Sequence, residues 1–486
     1  MFPVADYLAL LPELVLVATA LLLLLQGALF SSFSKASAHG YVLLAMITAQ
    51  LLLVFLYEKS SPEPFGGLFI HDVFAQSARS IVLMGTTLLL ILSHHADRRT
   101  WSYEIEHHVI ILLMSTAMML MVSSSNILLL YLAMELQALC LYVLVAIRHR
   151  SVIAVEAAMK FFILGGLASL IFLYGASVMY GLSGSLFYGD ISQWSESLSS
   201  QPYALVAFYV ACVMVLSAMA FKMTAVPFHM WAPDVYQGAS MGVVALMSTV
   251  SKLVAVFVFL RLLAVAMSQF LVVGETMVLV LSVLSMTIGS LAALRQRNLK
   301  RFIAYSGIAQ MGFALVGAVA WAGHGFEAVF VYMMIYFITM LGVFAVLLSL
   351  LRKRGEVETI DDLAGLGVSH KGVACALALF MFSLAGIPPF AGFFGKLYVF
   401  VPAIMEGYRW FVVWAVLMSV ISAAYYLRFI KVMYMDPVVG DGVYREKSVE
   451  GNVVIFLSVL FTLLFIFVPR IFWDMALVLW ASFGGG

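Results

Sequence analysis

The chain has 486 residues, of which 64% are hydrophobic and 10% charged, whereas a soluble domain is roughly 45–50% apolar and about 25% charged. That excess excludes a soluble globular protein, and a formal net charge of +1 gives no electrostatic basis for binding nucleic acid. The apolar runs are long and continuous rather than alternating, so the expected class is all-α integral membrane: a bilayer core needs about 20 apolar residues per helical span, and only helices or closed barrels satisfy their backbone in lipid.

Runs broken by charge, Gly or Pro place spans near 7–29, 39–57, 74–96, 105–122, 125–147, 154–181, 203–236, 240–267, 271–294, 299–320, 326–351, 371–403, 409–435 and 450–473, about 14 in all. The first carries Asp6 and Glu13 and precedes any basic residue, which marks it as a span rather than a cleavable leader with a basic head. His94–His95 and His107–His108 flank the loop between spans three and four; adjacent helical residues do not face one site, so a solvated interface is expected there. Cys140, Cys212 and Cys375 stand singly in apolar runs with no CxxC and no neighbouring His set. They read as packing thiols, with no disulfide, zinc or iron–sulfur ligation.

Alternate loops collect the basic residues: Lys35; Arg98 and Arg99; Arg148 and Arg150; Arg295, Arg297, Lys300 and Arg301; Arg352, Lys353, Arg354 and Lys371; Arg445 and Lys447. The opposite set offers only Lys59, Arg409 and Arg470. Cytoplasmic loops accumulate Lys and Arg, so both termini are expected on the outer side.

Span seven contains Val226-Pro227-Phe228 and then Pro233, and span twelve contains Ile387-Pro388-Pro389-Phe390. Proline removes a helix hydrogen bond and clashes with the preceding turn, so both spans are expected to be discontinuous. They lie five spans apart, which suggests two five-helix repeats, spans 4–8 and 9–13. An odd number of spans per repeat inverts the second relative to the first, and inverted repeats with broken helices near the midplane are a transporter architecture. The implied division is an N-terminal three-helix segment over 1–104, a first repeat over 105–270, an inverted second repeat over 271–436, and a closing loop and helix over 437–486.

Five ionisable side chains fall inside apolar runs: Glu135, Lys160, Lys222, Lys252 and Lys396. Such a charge costs about 2.5–3.5 kcal/mol even on the lenient insertion scale and points by default to function. Lys160 lies near the start of its helix and is also placed to snorkel to the interface. Glu135 is open to reading as a packing carboxylate. For Lys222, Lys252 and Lys396 the bland alternative is a salt bridge or a carbonyl-capped ammonium. Four lysines against one obvious carboxylate argue against a wholly static network. Burial disfavours the charged form of a lysine and a nearby carboxylate restores it, so a buried Lys is a proton carrier whose affinity can be switched. The magnitudes suffice: charges about 4 Å apart interact by roughly 4 kcal/mol at an effective dielectric near ~20, against about 2.3 kcal/mol for one charge crossing about 100 mV. His229, just past the first break, is equally placed to relay protons or to satisfy broken-helix carbonyls. Gly392-Phe393-Phe394-Gly395-Lys396 lacks the spacing and the following Ser or Thr of a phosphate loop. With no dinucleotide, haem or cluster motif, the chain itself is expected to bind no cofactor and no metal.

The stretch from Phe221-Lys222-Met223-Thr224-Ala225-Val226-Pro227-Phe228-His229 through Met230-Trp231-Ala232-Pro233-Asp234-Val235-Tyr236 closely resembles the seventh-span signature of respiratory complex I antiporter-like subunits, particularly subunit N. Met134-Glu135-Leu136-Gln137, Ala158-Met159-Lys160-Phe161-Phe162, Asn298-Leu299-Lys300-Arg301 and Leu384-Ala385-Gly386-Ile387-Pro388-Pro389 are similar to the family as well. The resemblance covers spans four to thirteen. It implies a proton-translocating subunit of an NADH:quinone oxidoreductase, in which Glu135 and Lys222 form a switchable pair, Lys252 is the central carrier, Lys396 the terminal carrier and Lys160 a modulator, with Lys300 a further motif position. Lys rather than Glu at 396 looks like subunit N rather than subunit M, and the lack of a long C-terminal extension argues against subunit L. The implied setting is the inner (plasma) membrane of a bacterium. The implied partners are other complex I membrane subunits, both antiporter-like and small helical ones, together with the lipid bilayer. NADH, FMN, iron–sulfur clusters and quinone are implied at the level of the complex only. Where many subunit N sequences carry a His midway along span ten, this one has Gln310. Gln cannot ionise, so proton passage there would need water together with Tyr305 or Ser306.

Two other readings compete. A subunit of a multi-subunit sodium/proton antiporter shares the broken helices and the lysines, and neighbouring quinone-reductase genes would separate it. A non-pumping spacer has no reason to bear the cost of five intramembrane charges.

Overall fold

A computed structural model of the chain describes residues 3–29, 35–56, 64–100, 105–197, 202–352, 355–438, 442–446 and 448–482. Lys59, Lys353, Arg354 and Lys447 lie outside the described residues, as do the side chains of Lys35, His95, Arg98 and Arg99. The element order begins α1 (Val4–Leu29), α2 (Lys35–Phe55), α3 (Val73–Thr100), α4 (Ile105–Val122), α5 (Ile127–Ala146), α6 (Val152–Ser183) and a short surface helix α7 (Tyr188–Glu196). It continues through α8 (Pro202–Lys222), α9 (Trp231–Gly238), α10 (Met241–Ser248), α11 (Val250–Arg261), α12 (Leu271–Arg295), α13 (Leu299–Val319) and α14 (Gly325–Ser349). A small sheet of β1 (Leu350–Arg352) and β2 (Gly355–Glu356) follows, then α15 (Leu366–Ser369), α16 (Lys371–Ala385), α17 (Ala391–Met405), α18 (Arg409–Met435), β3 (Tyr444–Arg445), α19 (Val449–Leu464) and α20 (Pro469–Ala481).

Among the described residues, 13 helices are long and apolar enough to cross a membrane, and the two shorter apolar helices α16 and α17 stand in series as a further crossing. The span count expected from the apolar runs therefore holds. Burial separates interior from rim: 94% of the apolar window is buried in Met241–Ala266 and in Leu299–Val319, and 89% in Gly325–Ser349, against 33% in Val4–Leu29 and Val449–Phe467. In lipid the packing of helices depends on close approach at small residues. Here α12 and α13 meet so tightly that a β-carbon on Gly289 would stand 2.6 Å from the Ala309 nitrogen.

The two ends of the described chain lie on one face. Asp6 accepts the Phe65 amide at 2.9 Å, and the Ser482 hydroxyl accepts the Phe74 amide at 3.1 Å. The opposite face carries the sheet, in order β2-β1-β3, with Leu351 opposite Glu356 and Leu350 opposite Arg445. β1 and β2 thus form a hairpin at the end of α14, and β3 ties the α18–α19 connection to it.

Spans seven and twelve are discontinuous, as the prolines predict. α8 stops at Lys222, Thr224 takes φ 62°, and the Val226–Pro227 bond is cis. The Trp231 indole donates to the carbonyl of Phe221 at 3.1 Å, and the Val226 amide donates to the Ser285 hydroxyl at 2.9 Å. These partners meet the demand that buried backbone groups be paired. In the second break α16 is capped by Gly386 at φ 82°, the Pro388–Pro389 bond is cis, and the Gly392 amide donates to the Ser383 hydroxyl at 3.0 Å. Span eight holds an interruption that no proline announces. α10 and α11 part at Thr249, with φ −111° and ψ −89°, where Thr249 and Ser248 bond back to the carbonyls of Ala245 and Val244 at 2.6 and 2.7 Å. Such back-bonding competes with the helix ladder and bends helices. The helix then loosens into a π turn over Leu262–Ala266.

The histidine expectation is corrected. His107 and His108 are buried, at 5% and 1% exposure. His108 Nε2 lies 3.4 Å from His39 Nδ1, and the His39 and His94 rings stack at 3.8 Å. The convergence of α2, α3 and α4 encloses them, an effect of tertiary packing that no local pattern reveals.

Candidate functional site

The three innermost crossings, α10–α11, α13 and α14, lie beside the two broken helices; Lys252 of α11 and Lys396 of α17 are buried, and Lys222 of α8 is half-buried. Lys222 is the last residue of α8, and its ammonium donates to the carbonyl of Met134 at 3.2 Å. The carboxylate of Glu135, next in α5, accepts the Ser169 hydroxyl of α6. Lys222 bonds the carbonyl of Met134, the residue before Glu135, so the two charges lie near each other while their hydrogen bonds go to other partners.

Lys252, three residues past the Thr249 interruption, is fully buried, and its ammonium has no hydrogen-bond partner among the described residues. Its Nζ lies 5.9 Å from the centre of the Tyr236 ring. A β-carbon on Gly307 would stand 2.6 Å from that Nζ and 3.5 Å from the Tyr336 hydroxyl, so the glycine of α13 leaves a notch that the ammonium and the phenol share. A buried ammonium without a partner is costly.

Lys396 reaches back across the second break, donating to the carbonyl of Ala385 and to the Ser419 hydroxyl, each at 2.9 Å. Its Nζ also lies 4.5 Å above the Phe313 ring. The Ala385 carbonyl is the exposed negative end of the half-helix α16, where a cation is favoured. Gly386 permits the approach, because a β-carbon there would stand 2.9 Å from Lys396 Cδ.

Gln310 occupies the middle of α13 with both its amide nitrogen and its oxygen hydrogen-bonded. Its amide nitrogen donates to the carbonyl of Leu384 and to the Tyr426 hydroxyl, both at 3.0 Å, while its oxygen accepts the Tyr332 hydroxyl. Tyr332 and Tyr426, not Tyr305 or Ser306, are therefore its partners. Ser306 turns to the carbonyl of Ile303 at 3.0 Å, and Tyr305 packs half-buried against the apolar core. His229 lies half-buried in the first break, its carbonyl accepting the Ala232 amide at 3.0 Å.

Lys160 stands apart from the buried row. Its side chain is 46% exposed and bridges Glu156 at 2.9 Å and Asp234 at 3.0 Å, so the count of one carboxylate for four lysines was too low. Asp234 is shared with Arg301 at 3.0 Å, which also holds Gln237 at 3.1 Å. Lys300, next to it, donates to the carbonyl of Ala239 at 2.6 Å and to Glu356 at 2.8 Å. The first turn of α13 thus grips the half-helix α9 and the start of α10.

Sequence reasoning did not single out Asp234, Glu356, Tyr332, Tyr336 or Tyr426. A carboxylate inside the quoted motif was the available signal for Asp234. Arg79 was missed too, although it lies inside span three: it is fully buried and donates to Glu13 of α1 at 2.6 and 2.9 Å and to the carbonyl of Ala9 at 2.9 Å.

Broken helices beside buried lysines define a class of ion-translocating membrane subunits. Residues 124–422 match the family described as NADH:quinone oxidoreductase/Mrp antiporter, TM, and the chain belongs to that family. Among its relatives, the NADH-quinone oxidoreductase subunit N of Parvibaculum lavamentivorans is 38% identical over 96% of this chain and 95% of its own length. Among solved structures, a chain of respiratory complex I from Thermus thermophilus with bound aureothin superposes with a TM-score of 0.79 at 27% identity, covering 95% of this chain and 98% of that one. A chain of the Mrp complex from Dietzia sp. shares the fold, with a TM-score of 0.80 at 19% identity over 99% and 98% of the two chains.

Proposed function

We propose that this chain is the subunit N-type proton-translocating membrane subunit of an NADH-quinone oxidoreductase, carrying protons through buried lysines while quinone is reduced elsewhere in the complex. The observation that supports this most is Lys252: a fully buried ammonium without a hydrogen-bond partner among the described residues, in the helix between the two breaks. In this reading Lys222, tuned by Glu135, Lys252 and Lys396 are successive stations. Lys160, held by its two carboxylates, and His229 modulate the path, and Lys300 lines its entrance.

Spans 4–8 and 9–13 are the two inverted repeats, within the division 1–104, 105–270, 271–436 and 437–486. The face bearing the termini is the outer, periplasmic one of a bacterial inner membrane, because the basic loops gather on the other. NADH, FMN, iron–sulfur clusters and quinone belong to partner subunits, and neighbouring antiporter-like and small helical subunits flank this one in the bilayer. The antiporter alternative shares the fold, yet the 38% identity to a subunit N over nearly the whole chain favours the respiratory reading over the 19% to an Mrp chain.

Substitution separates carriers from structural charges. Arg stays protonated in proteins while a buried Lys can release its proton. Lys252→Arg and Lys396→Arg should therefore assemble and still pump nearly as poorly as Lys→Ala, measured as protons moved per quinone reduced. Full pumping with Arg at both positions overturns the carrier reading.

A further inference from the structure

Between Lys252 and Lys396 lies Gln310, whose two amide hydrogens and carbonyl oxygen are all engaged, with Tyr426, Leu384 and Tyr332. Both amide hydrogens are committed and the side chain does not ionise, so it has no proton to pass on. It braces the two tyrosines and is a poor carrier. The link must run elsewhere.

One side chain borders both lysines. Tyr336 of α14 is 4% exposed and shares the Gly307 notch with Lys252 Nζ. It also lines a small cavity together with Lys396, Gln310, Tyr332 and Thr339, which has room for about one water molecule. Tyr332 and Tyr336 are four residues apart and so share a helix face, which places Gln310's brace and the cavity side by side. The Tyr336 hydroxyl now donates to the carbonyl of Ser248 at 3.0 Å, beside the Thr249 interruption, and a hydroxyl hydrogen is free to rotate about its C–O bond.

We propose that the Tyr336 hydroxyl is the proton-passing link between Lys252 and Lys396. This rests on the reading of those lysines as carriers. The Lys252 ammonium gives its proton to the Tyr336 oxygen as the phenolic proton leaves to a water in the cavity, and a proton of that water passes to the neutral amine of Lys396. Only N–H and O–H bonds break and form, tyrosine and water are regenerated, and one positive charge moves from Lys252 to Lys396.

The test uses the whole complex reconstituted in vesicles, scoring assembly, quinone reduction and protons moved per quinone. Tyr336→Phe should assemble and reduce quinone, with its proton ratio falling to that of Lys252→Met, and the double variant should fall no further. Tyr336→His, which keeps a group able to accept and give a proton, should recover most of the ratio. Gly307→Ala fills the notch the two groups share, its methyl displacing the flexible end of Lys252 and meeting the phenol in van der Waals contact; if Tyr336→Phe does not assemble, a ratio lowered in Gly307→Ala and lowered no further in Gly307→Ala with Lys252→Met supports the link, and a wild-type ratio overturns it. A wild-type ratio in these variants, whether or not the rate of quinone reduction falls, overturns the link while a lowered ratio in Lys252→Met leaves the carriers standing. Wild-type ratios in both Lys252→Met and Lys396→Met overturn the reading underneath.

Discussion

Glu356 and Lys300 meet at 2.8 Å on the face opposite the termini, joining the hairpin after α14 to the first turn of α13. The same carboxylate takes Arg148 from the end of α5 and the Met241 amide at the start of α10. Burial alone would raise the Glu356 carboxyl, but Lys300 and Arg148, with hydrogen bonds from Lys300 and Met241, hold it below the usual carboxylate range; Glu358 on the same segment also faces Lys300. A folded value below the unfolded one stabilises at every pH above the unfolded carboxylate value of about 4.3 and is lost as pH falls through the lower folded value. Glu356→Gln should therefore lower the thermal midpoint of the purified complex at pH 7, and the gap to wild type should narrow as the pH is taken below 4. A gap that does not change with pH refutes the electrostatic account.

In the proposed path Glu135 tunes Lys222 through its charge, and the Ser169 hydroxyl donates to that carboxylate. Glu135→Ala should lower proton pumping several-fold more than Glu135→Asp, each compared at equal rates of quinone reduction. Pumping at the wild-type ratio in Glu135→Ala removes any role for the pair.

The orientation rests on the basic loops and yields to direct measurement. A reporter fused after residue 354 should read cytoplasm, and one fused at the C-terminus should read the outside. The reverse pattern inverts the assignment of faces, and with it the direction of the path.

Gly386→Ala tests the second break. Its φ of 82° strains any residue with a β-carbon by roughly 1–2 kcal/mol, and that carbon would press on Lys396 Cδ. The expected result is a lower thermal midpoint together with a lowered proton ratio. An unaltered ratio would show that the seat of Lys396 is tolerant.

The architecture was legible because its causes are local. Twenty-residue apolar runs and prolines at 227, 388 and 389 are written in the order of residues, and so are ionisable side chains inside those runs. What escaped arises between distant segments. The Thr249 interruption depends on Ser and Thr back-bonding that many straight helices tolerate. Tyr332 and Tyr426 become the partners of Gln310 only when α14 and α18 pack against α13, whereas Tyr305, five residues from Gln310, points elsewhere. Glu356 read as an ordinary loop acid, and only the folded chain brings Arg148 and Lys300 to it from segments 208 and 56 residues away.

The buried pair Glu13–Arg79 bears on how the chain is held together in the bilayer. Alone in hydrocarbon, an unpaired arginine or carboxylate meets a heavy penalty, and losing one member of a buried pair costs about 3–5 kcal/mol. Glu13 belongs to α1 and Arg79 to α3, with all of α2 between them. Each charge is compensated in hydrocarbon only when α1 and α3 lie side by side, so the pair clasps these two helices together across the sequence of α2.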